Sequence, residues 1–348
     1  MPESLDEIPG VRTAPKAHAR GRTLPTVPER EEPQFRSKWL VVLLLSLAAI
    51  LLTLEVGTRI GFRLISKIES RTMMEARAAR HTQPFVDGRP SMLLVGNSLM
   101  LEDVDYAALK HQLASRASVS RFVIEQTYYY DWYFGIRRLF AAGARPKEIV
   151  LGIQPSVIPM DRIRGDYSAY YLISGPDLLA AARAMRYDLT QTSSLTFAHF
   201  SLFYAGRNNL RNFILNKVDP KYGELLHALV TNRAPVVMSA EAARISTDRL
   251  AAINRLCQSH GARFIYFVPP ALGDQGESVI AEIRSSGIPV LEPFKMNELS
   301  SAYFRDGFHL NERGASVLTR KLGQELGGQL PQVSARTASD VAAREITR

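Results

Sequence analysis

The chain has 348 residues, a formal net charge of +9, 46% apolar residues and a single cysteine. The length is that of two average domains. The composition excludes wholesale disorder and a polytopic membrane protein. Cys257, alone, excludes an intramolecular disulfide and any multi-cysteine zinc or iron–sulfur site. The surplus positive charge admits a nucleic-acid or a membrane partner, so its position along the chain decides between them.

Residues 1–38 are rich in Pro, Arg and Glu and nearly neutral, with seven Lys/Arg and six Asp/Glu. This predicts a disordered tail. Trp39 to Leu54 is then a run of 16 residues without charge. Extended to Thr58 it reaches 20 residues, about 30 Å as a helix. A buried core helix or a signal-peptide core would share this pattern. A signal peptide fits poorly, because a long charged tail precedes the run and no A-x-A-like site follows. The expectation is an uncleaved transmembrane anchor at 39–58, with Glu55 near enough to one end to reach the interface. Five Lys/Arg flank it closely on each side, so charge gives no orientation. Residues 59–90 predict a basic helical stem, with Ile60, Phe62, Leu64, Ile65 and Ile68 as an apolar face. Such a stem suits either anionic lipid heads or water.

From Ser91 the pattern changes. Short apolar runs at Ser91–Val95, Arg121–Gln126, Glu148–Ile153, Ala262–Pro270 and Ile288–Phe294 predict buried strands. Helical patterns lie between or after them at Asp105–Ala117, Asp131–Ala142, Thr247–His260, Gln275–Ser285 and Ala315–Leu326. Continuous apolar strands alternating with helices imply an α/β domain with a parallel sheet covered on both faces, here 91–330. A largely helical insertion, about 160–245 and rich in Tyr, Phe, Arg and Asn, separates the third and fourth strands. It would serve as a lid, a substrate platform or a partner surface. Residues 331–348 form a small polar tail. Internal repeats, a G-x-G-x-x-G after a strand and a Walker A sequence are all absent. More than half of the surplus charge lies in the tails and the stem, so nucleic acid is not expected as a partner.

Two short segments carry chemistry. In Leu93-Leu94-Val95-Gly96-Asn97-Ser98-Leu99 a serine follows a strand and a glycine, at the carboxyl edge where open sheets bind ligands. Its Oγ can face the crevice and its N–H can serve a developing oxyanion. The full G-x-S-x-G elbow is missing, since Met100 replaces its second glycine. Alone, the segment equally suits a plain turn serine. In Asp306-Gly307-Phe308-His309-Leu310-Asn311 an acid and an imidazole lie three residues apart before a helix. A serine needs a base, and the base needs a carboxylate to hold its tautomer. Alone, that segment also suits a helix cap with a solvated histidine.

Together the segments resemble the SGNH/GDSL hydrolase superfamily, over about 91–328 without the insertion. Gly96-Asn97-Ser98-Leu99 matches the first block, with Asn97 where Asp is usual. Asp306-Gly-Phe-His309, with Asn311 and Gly314, matches the last. The resemblance implies a flavodoxin-like three-layer α/β/α sandwich and a catalytic triad of Ser98, Asp306 and His309, with no cofactor and no metal. In the third block Gly152-Ile153-Gln154 places Gln154 where an oxyanion-donating Asn is usual. In the second block, Thr127 or Tyr128 stands where a glycine N–H is usual. The whole layout is similar to bacterial membrane-tethered SGNH-like proteins that work beside membrane-bound O-acyltransferases on exported polysaccharides. It implies a single-pass inner-membrane protein with residues 1–38 as a cytoplasmic tail and a periplasmic domain. The implied substrate is a polysaccharide or acyl ester, with esterase or O-acyltransferase chemistry, the acyl group being acetyl by expectation. The alternative is a catalytically weak SGNH domain that binds polymer or docks on the membrane acyltransferase.

Other residues stay open at this stage. Tyr128–Tyr130, Trp132 and Tyr133 suit sugar stacking or core packing equally. Arg162, Arg164 and Asp166 suit the crevice wall or solvated loop charges. His199 reads as packed or interfacial, and Cys257 as a small core residue.

Overall fold

The computed structural model describes residues 37–219, 221, 238–273 and 276–330. The expectations for 1–36 and 331–348, and the part of the insertion at 222–237, lie outside the described residues. The chain divides into two compact units, one up to Ile50 and one from Leu51 onward. The first unit holds the opening turns of helix α1 (Ser37–Ile65), whose side chains at 38–50 are all exposed. Lys38–Phe62 is 25 residues at mean hydropathy 2.5, long and apolar enough to cross a membrane.

The second unit is built on a sheet of six strands: β1 (Phe85–Val86), β2 (Arg89–Gly96), β3 (Ser118–Val123), β4 (Glu148–Gly152), β5 (Arg263–Phe267) and β6 (Val290–Leu291). Five run parallel in the order β3-β2-β4-β5-β6, and β1 adds an antiparallel pair at the start of β2. The period-2 alternation of strand side chains splits the apolar runs between two faces. Leu93 and Val95 join one core with Phe122, Ile149 and Leu151. Met92 and Leu94 join the other with Val123, Val150 and Ile265. Both faces being covered is why these strands read as continuous apolar runs rather than alternating ones.

The first face is covered by α2 (Lys67–Arg80), α5 (Tyr129–Ala141), α10 (Ala240–Ser259) and α11 (Glu277–Ser285). The second is covered by α4 (Tyr106–Gln112) and α12 (Glu312–Gln329). The first strand in sequence of the parallel set, β2, has the second on one side and the third on the other. This topological switch opens a crevice at the carboxyl ends of β2 and β4.

The helix expected from Thr247 begins at Ala240, and the strand expected at 288–294 is confined to Val290–Leu291. Two further differences bear on the site. The second parallel strand runs three residues earlier, at Ser118–Val123 rather than 121–126. Its register against Ser91–Gly96 uses up the length of β2; Ile124 N still donates to Gly96 O at 3.1 Å, and Glu125 and Gln126 then line the crevice. The stem is not separate from the domain. Ser66 caps a new helix by accepting from Glu69 N at 3.2 Å, so α1 ends and α2 turns onto β3. Thr72, Ala76 and Ala79 form its buried face. Glu75 accepts from Arg121 Nε at 2.8 Å and from Val123 N at 3.0 Å. Of Ile60, Phe62, Leu64 and Ile68, Phe62 is buried and the other three are exposed.

The insertion folds as α6 (Asp166–Tyr171), α7 (Leu178–Ala184), α8 (Leu189–Phe200) and α9 (Leu202–Val218). It has a small core of its own around Ile163, Ala169, Ile173, Ala182, Leu195 and Ala198. Buried Glu69, in the first turn of α2, ties it to the domain. Glu69 accepts from Tyr167 Oη (2.8 Å), Tyr171 Oη (3.2 Å) and Asn209 Nδ2 (3.0 Å).

Candidate active site

The site is assembled where β2 ends. Gly96 has no side chain because a Cβ there would strike the carbonyl oxygen of Gly152 on β4. Asn97 then caps a short helix, α3 (Ser98–Glu102), its Oδ1 accepting from Leu99 N at 3.1 Å. Ser98 is the first residue of that helix, so its own N–H precedes the intrahelical ladder.

The partner loop is a tight reversal between Phe304 and Leu310, which form an isolated bridge. Arg305 N donates to His309 O and Asn311 N to Tyr303 O, each at 2.8 Å. The sequence explains the turn residue by residue. Asp306 Oδ1 accepts from Phe308 N (3.0 Å) and His309 N (2.7 Å), an Asx turn. Gly307 holds φ +76°, which favours glycine. Asn311 caps α12 by accepting from Gly314 N at 3.0 Å. Gly314 is glycine because a Cβ there would strike Tyr303 O.

This loop places His309 Nε2 at 3.0 Å from Ser98 Oγ and His309 Nδ1 at 2.9 Å from Asp306 Oδ2. A carboxylate at Nδ1 selects the tautomer with the proton there and leaves Nε2 as the acceptor facing the hydroxyl. Burial opposes ionisation of Asp306. The hydrogen bonds from the His309 N–H, the imidazole and the Phe308 N–H outweigh it and bring the carboxyl down to about 2.

Ser98, Asp306 and His309 line one cavity of about 1220 Å³. Gln154 and Thr127 line it too, and both are buried. Its far wall comes from the end of α1, including Leu54 and Gly57, and from α9, including Leu210 and Phe213.

Of the two backbone amides that stand where a glycine N–H is usual, Thr127 and Tyr128, one already has a partner. The Tyr128 N–H donates to Asp131 Oδ2 at 2.7 Å, so it is already spent, although the residue lines the cavity. Gly152, at the end of β4, accepts from Asn97 N at 3.4 Å through its carbonyl, and a Cβ there would meet Met100 Cε at 2.5 Å. Its smallness lets the sheet edge close behind Met100. Thr127 Oγ1 donates to Ile124 O (2.7 Å) and accepts from Trp132 Nε1 (2.9 Å), which fixes the loop.

Among the aromatic and basic residues left open, Trp132 and Tyr129 belong to the core, while Arg162 and Arg164 line the cavity. Arg162 lies 4.4 Å over the Tyr128 ring. Asp166 pairs with Arg207 at 2.5 Å instead. His199 Nδ1 meets Ala169 O at 3.1 Å. Cys257 is buried, and burial pushes its thiol up to about 12.

Three residues had no signal in the sequence. Asp103, fully buried at the end of α3, accepts from Leu310 N at 2.8 Å and clamps the histidine loop to the serine helix. Burial pushes its carboxyl well above the ordinary range. Gln126 lines the cavity at a left-handed φ of +59°. Asp131, within α5, accepts from Tyr128 N and Arg164 N. Burial pushes it up to about 7 despite those bonds. Among the described residues no group of three or more His, Cys, Asp or Glu is placed to hold a metal ion.

No protein-family model matches the chain, and no curated protein matches it. Solved structures similar to it include a putative acylhydrolase from Bacteroides fragilis, at 11% identity and TM-score 0.37, covering 76% of this chain and 97% of that one. A GDSL-like lipase from Bacteroides thetaiotaomicron is 9% identical at TM-score 0.38, covering 74% and 97%. A lipase/acylhydrolase from Enterococcus faecalis is 13% identical at TM-score 0.32, covering 70% and 99%. At such TM-scores these likenesses carry no weight for function, which rests on the residues of the site.

Proposed function

We propose that this chain is a membrane-anchored serine esterase or O-acyltransferase acting on acyl esters of an exported or cell-envelope polysaccharide, with its α/β domain outside the cytoplasm. The observation that carries this reading is the relay from Ser98 through His309 to Asp306, with both bonds at 3.0 Å or less, in one cavity. Ser98 Oγ gives its proton to His309 Nε2 and bonds to the acyl carbon. The Ser98 N–H and the Gln154 carboxamide serve the tetrahedral oxyanion. The bond from that carbon to the leaving oxygen breaks, and His309 returns the proton to the departing alcohol. Water or a sugar hydroxyl then loses its proton to His309 and attacks the acyl carbon; the bond from that carbon to Ser98 Oγ breaks, and His309 returns the proton to Ser98.

The two acceptors use the same residues and differ only in what enters second. The purified chain, given an acylated oligosaccharide and an unacylated acceptor, separates them by release of free acid or appearance of acylated acceptor. In cells, Ser98→Ala is expected to alter polymer acylation; unchanged acylation would sink the enzymatic reading. A second reading is a weakly catalytic domain that binds polymer or docks on a membrane-bound O-acyltransferase. It is favoured by the Tyr128 amide, already held by Asp131 where a further oxyanion donor would be expected. Losing one such donor typically costs about 100- to 1000-fold in rate. Under that reading Ser98→Ala leaves acylation intact, while deleting the domain abolishes it.

A further inference from the structure

Glu55 is the one acidic residue in the apolar stretch Lys38–Phe62. A carboxylate at that depth needs partners. Glu55 takes four hydrogen bonds: from Arg59 Nε (2.7 Å), Ser201 Oγ (2.8 Å), Leu202 N (3.1 Å) and Phe203 N (3.1 Å). The last three belong to the elbow where α8 ends and α9 begins. The elbow is therefore level with residue 55, seven residues and about 10 Å of helix before the apolar stretch ends at Phe62. Farther along α9, Gly206 lies against the Phe62 ring, where a Cβ would meet Cε2 at 2.6 Å. α9 thus climbs beside α1 from that depth toward the end of the stretch.

The elbow's surface suits lipid. Phe197 and Phe200 are 65% and 70% exposed. Two aromatic rings side by side in water lose the benefit of burial, and an amphipathic element with such residues settles at an acyl-chain boundary. Next to Phe200 is a hollow rimmed by Arg59, Arg77, Arg80 and Arg138. None of the described residues lining it is acidic. Arginines beside apolar rings match the order of a bilayer surface, with anionic heads next to chains. Arg59 pairs with Glu55 and Arg138 donates to the Tyr170 and Ile173 carbonyls, which leaves Arg77 and Arg80 to meet such heads.

We propose that the α8–α9 elbow is embedded in the lipid bilayer beside α1, with Phe197 and Phe200 among the acyl chains. The proposal rests on Lys38–Phe62 being a membrane span and is independent of the chemistry at Ser98. The α1 wall of the Ser98 cavity, at Leu54 and Gly57, then lies within the embedded stretch rather than in open water.

The test is depth-resolved fluorescence quenching on the full chain in phosphatidylcholine–phosphatidylglycerol vesicles. Single cysteines at Phe197, Phe200, Leu45 and Ala281, on a Cys257→Ala background, carry one fluorophore each. All four side chains are exposed, so labelling disturbs no core. Leu45 reports the span. Ala281 is on α11, which packs against β6 at the sheet edge opposite β3, and reports water. Labels at 197 and 200 are expected to behave as the label at 45 does, quenched by spin-labelled acyl chains and protected from iodide, while 281 does the opposite. Quenching at 45 with iodide access at 197 and 200 overturns the proposal and leaves the span standing; a protein partner would then be the candidate cover. Iodide access at all four positions overturns the span reading, and the proposal with it. Neither outcome touches the esterase reading.

Discussion

Asp306→Asn is the most informative single substitution at this site, because the surrounding bonds dictate which way the amide must sit. Asp306 Oδ1 is pinned by two backbone donors, Phe308 N and His309 N, at 3.0 and 2.7 Å. An asparagine keeps its carbonyl oxygen there, since an NH2 group would face two N–H donors. Its NH2 then falls where Oδ2 was, 2.9 Å from His309 Nδ1. Nδ1 must become an acceptor, the proton moves to Nε2, and His309 points a donor at Ser98 Oγ. The base can no longer take the serine proton. The loss expected of a triad carboxylate made an amide is about 10⁴-fold in kcat, roughly 5.5 kcal/mol of transition-state stabilisation. The assay is hydrolysis of an activated acetate ester by the detergent-solubilised chain, with thermal unfolding at neutral pH as the check that both turn bonds survive. A kcat within tenfold of the parent, beside an inactive His309→Ala, would refute the assignment of Asp306 as the group that orients the imidazole.

Gln154→Ala removes the carboxamide proposed to serve the oxyanion and is expected to lower kcat by about 100- to 1000-fold with little change in KM; an unchanged kcat would leave Gln154 as packing. Asp103→Ala frees Leu310 N and is expected to lower kcat and cost about 1–3 kcal/mol of stability. Asp103→Asn keeps an acceptor there and should restore most of kcat, and equal kcat values for the two variants would count against Asp103 as a positioning residue. Asp131 gives a pH signature. Its folded value of about 7 lies above the ordinary 3.8, so the folded chain holds the extra proton between them. Stability from this group is greatest at low pH, falls as pH rises from about 4 to about 7, and is level above that. Asp131→Asn should flatten that slope in urea titrations across the range, and a slope equal to the parent's would remove Asp131 as its source. Asp306 acts in the opposite sense: its contribution is present above about 4 and lost as pH falls toward about 2.

What the sequence made legible follows from how locally each feature is encoded. The strands at Ser91, Glu148 and Ala262 stand out because burial on both faces leaves a run of apolar residues with no competing period. The histidine loop is legible for the same local reason: Asp306, Gly307, His309, Asn311 and Gly314 each answer a demand of one short turn. The strand reads three residues late at 121–126, because Ile124 is apolar and buried although the paired register ends at Val123, and only pairing with β2 fixes that end. The roles of Asp103 and Glu69 were not legible. Each is an ordinary acid in sequence, and its partner is more than 95 residues away. The same holds for Glu55, which read as an interface residue and is bonded to a helix start about 146 residues later. The choice between the Thr127 and Tyr128 amides was not legible either, because a backbone N–H carries no sequence signal of what it already bonds; that of Tyr128 is held by Asp131.

The most direct test of the central claim is covalent. A fluorophosphonate that forms a stable adduct with an activated serine, followed by peptide mass spectrometry, is predicted to modify Ser98 in the parent chain. Modification should be lost in Ser98→Ala and strongly slowed in His309→Ala. An unmodified Ser98 in the folded parent, or labelling that persists in Ser98→Ala, would contradict it.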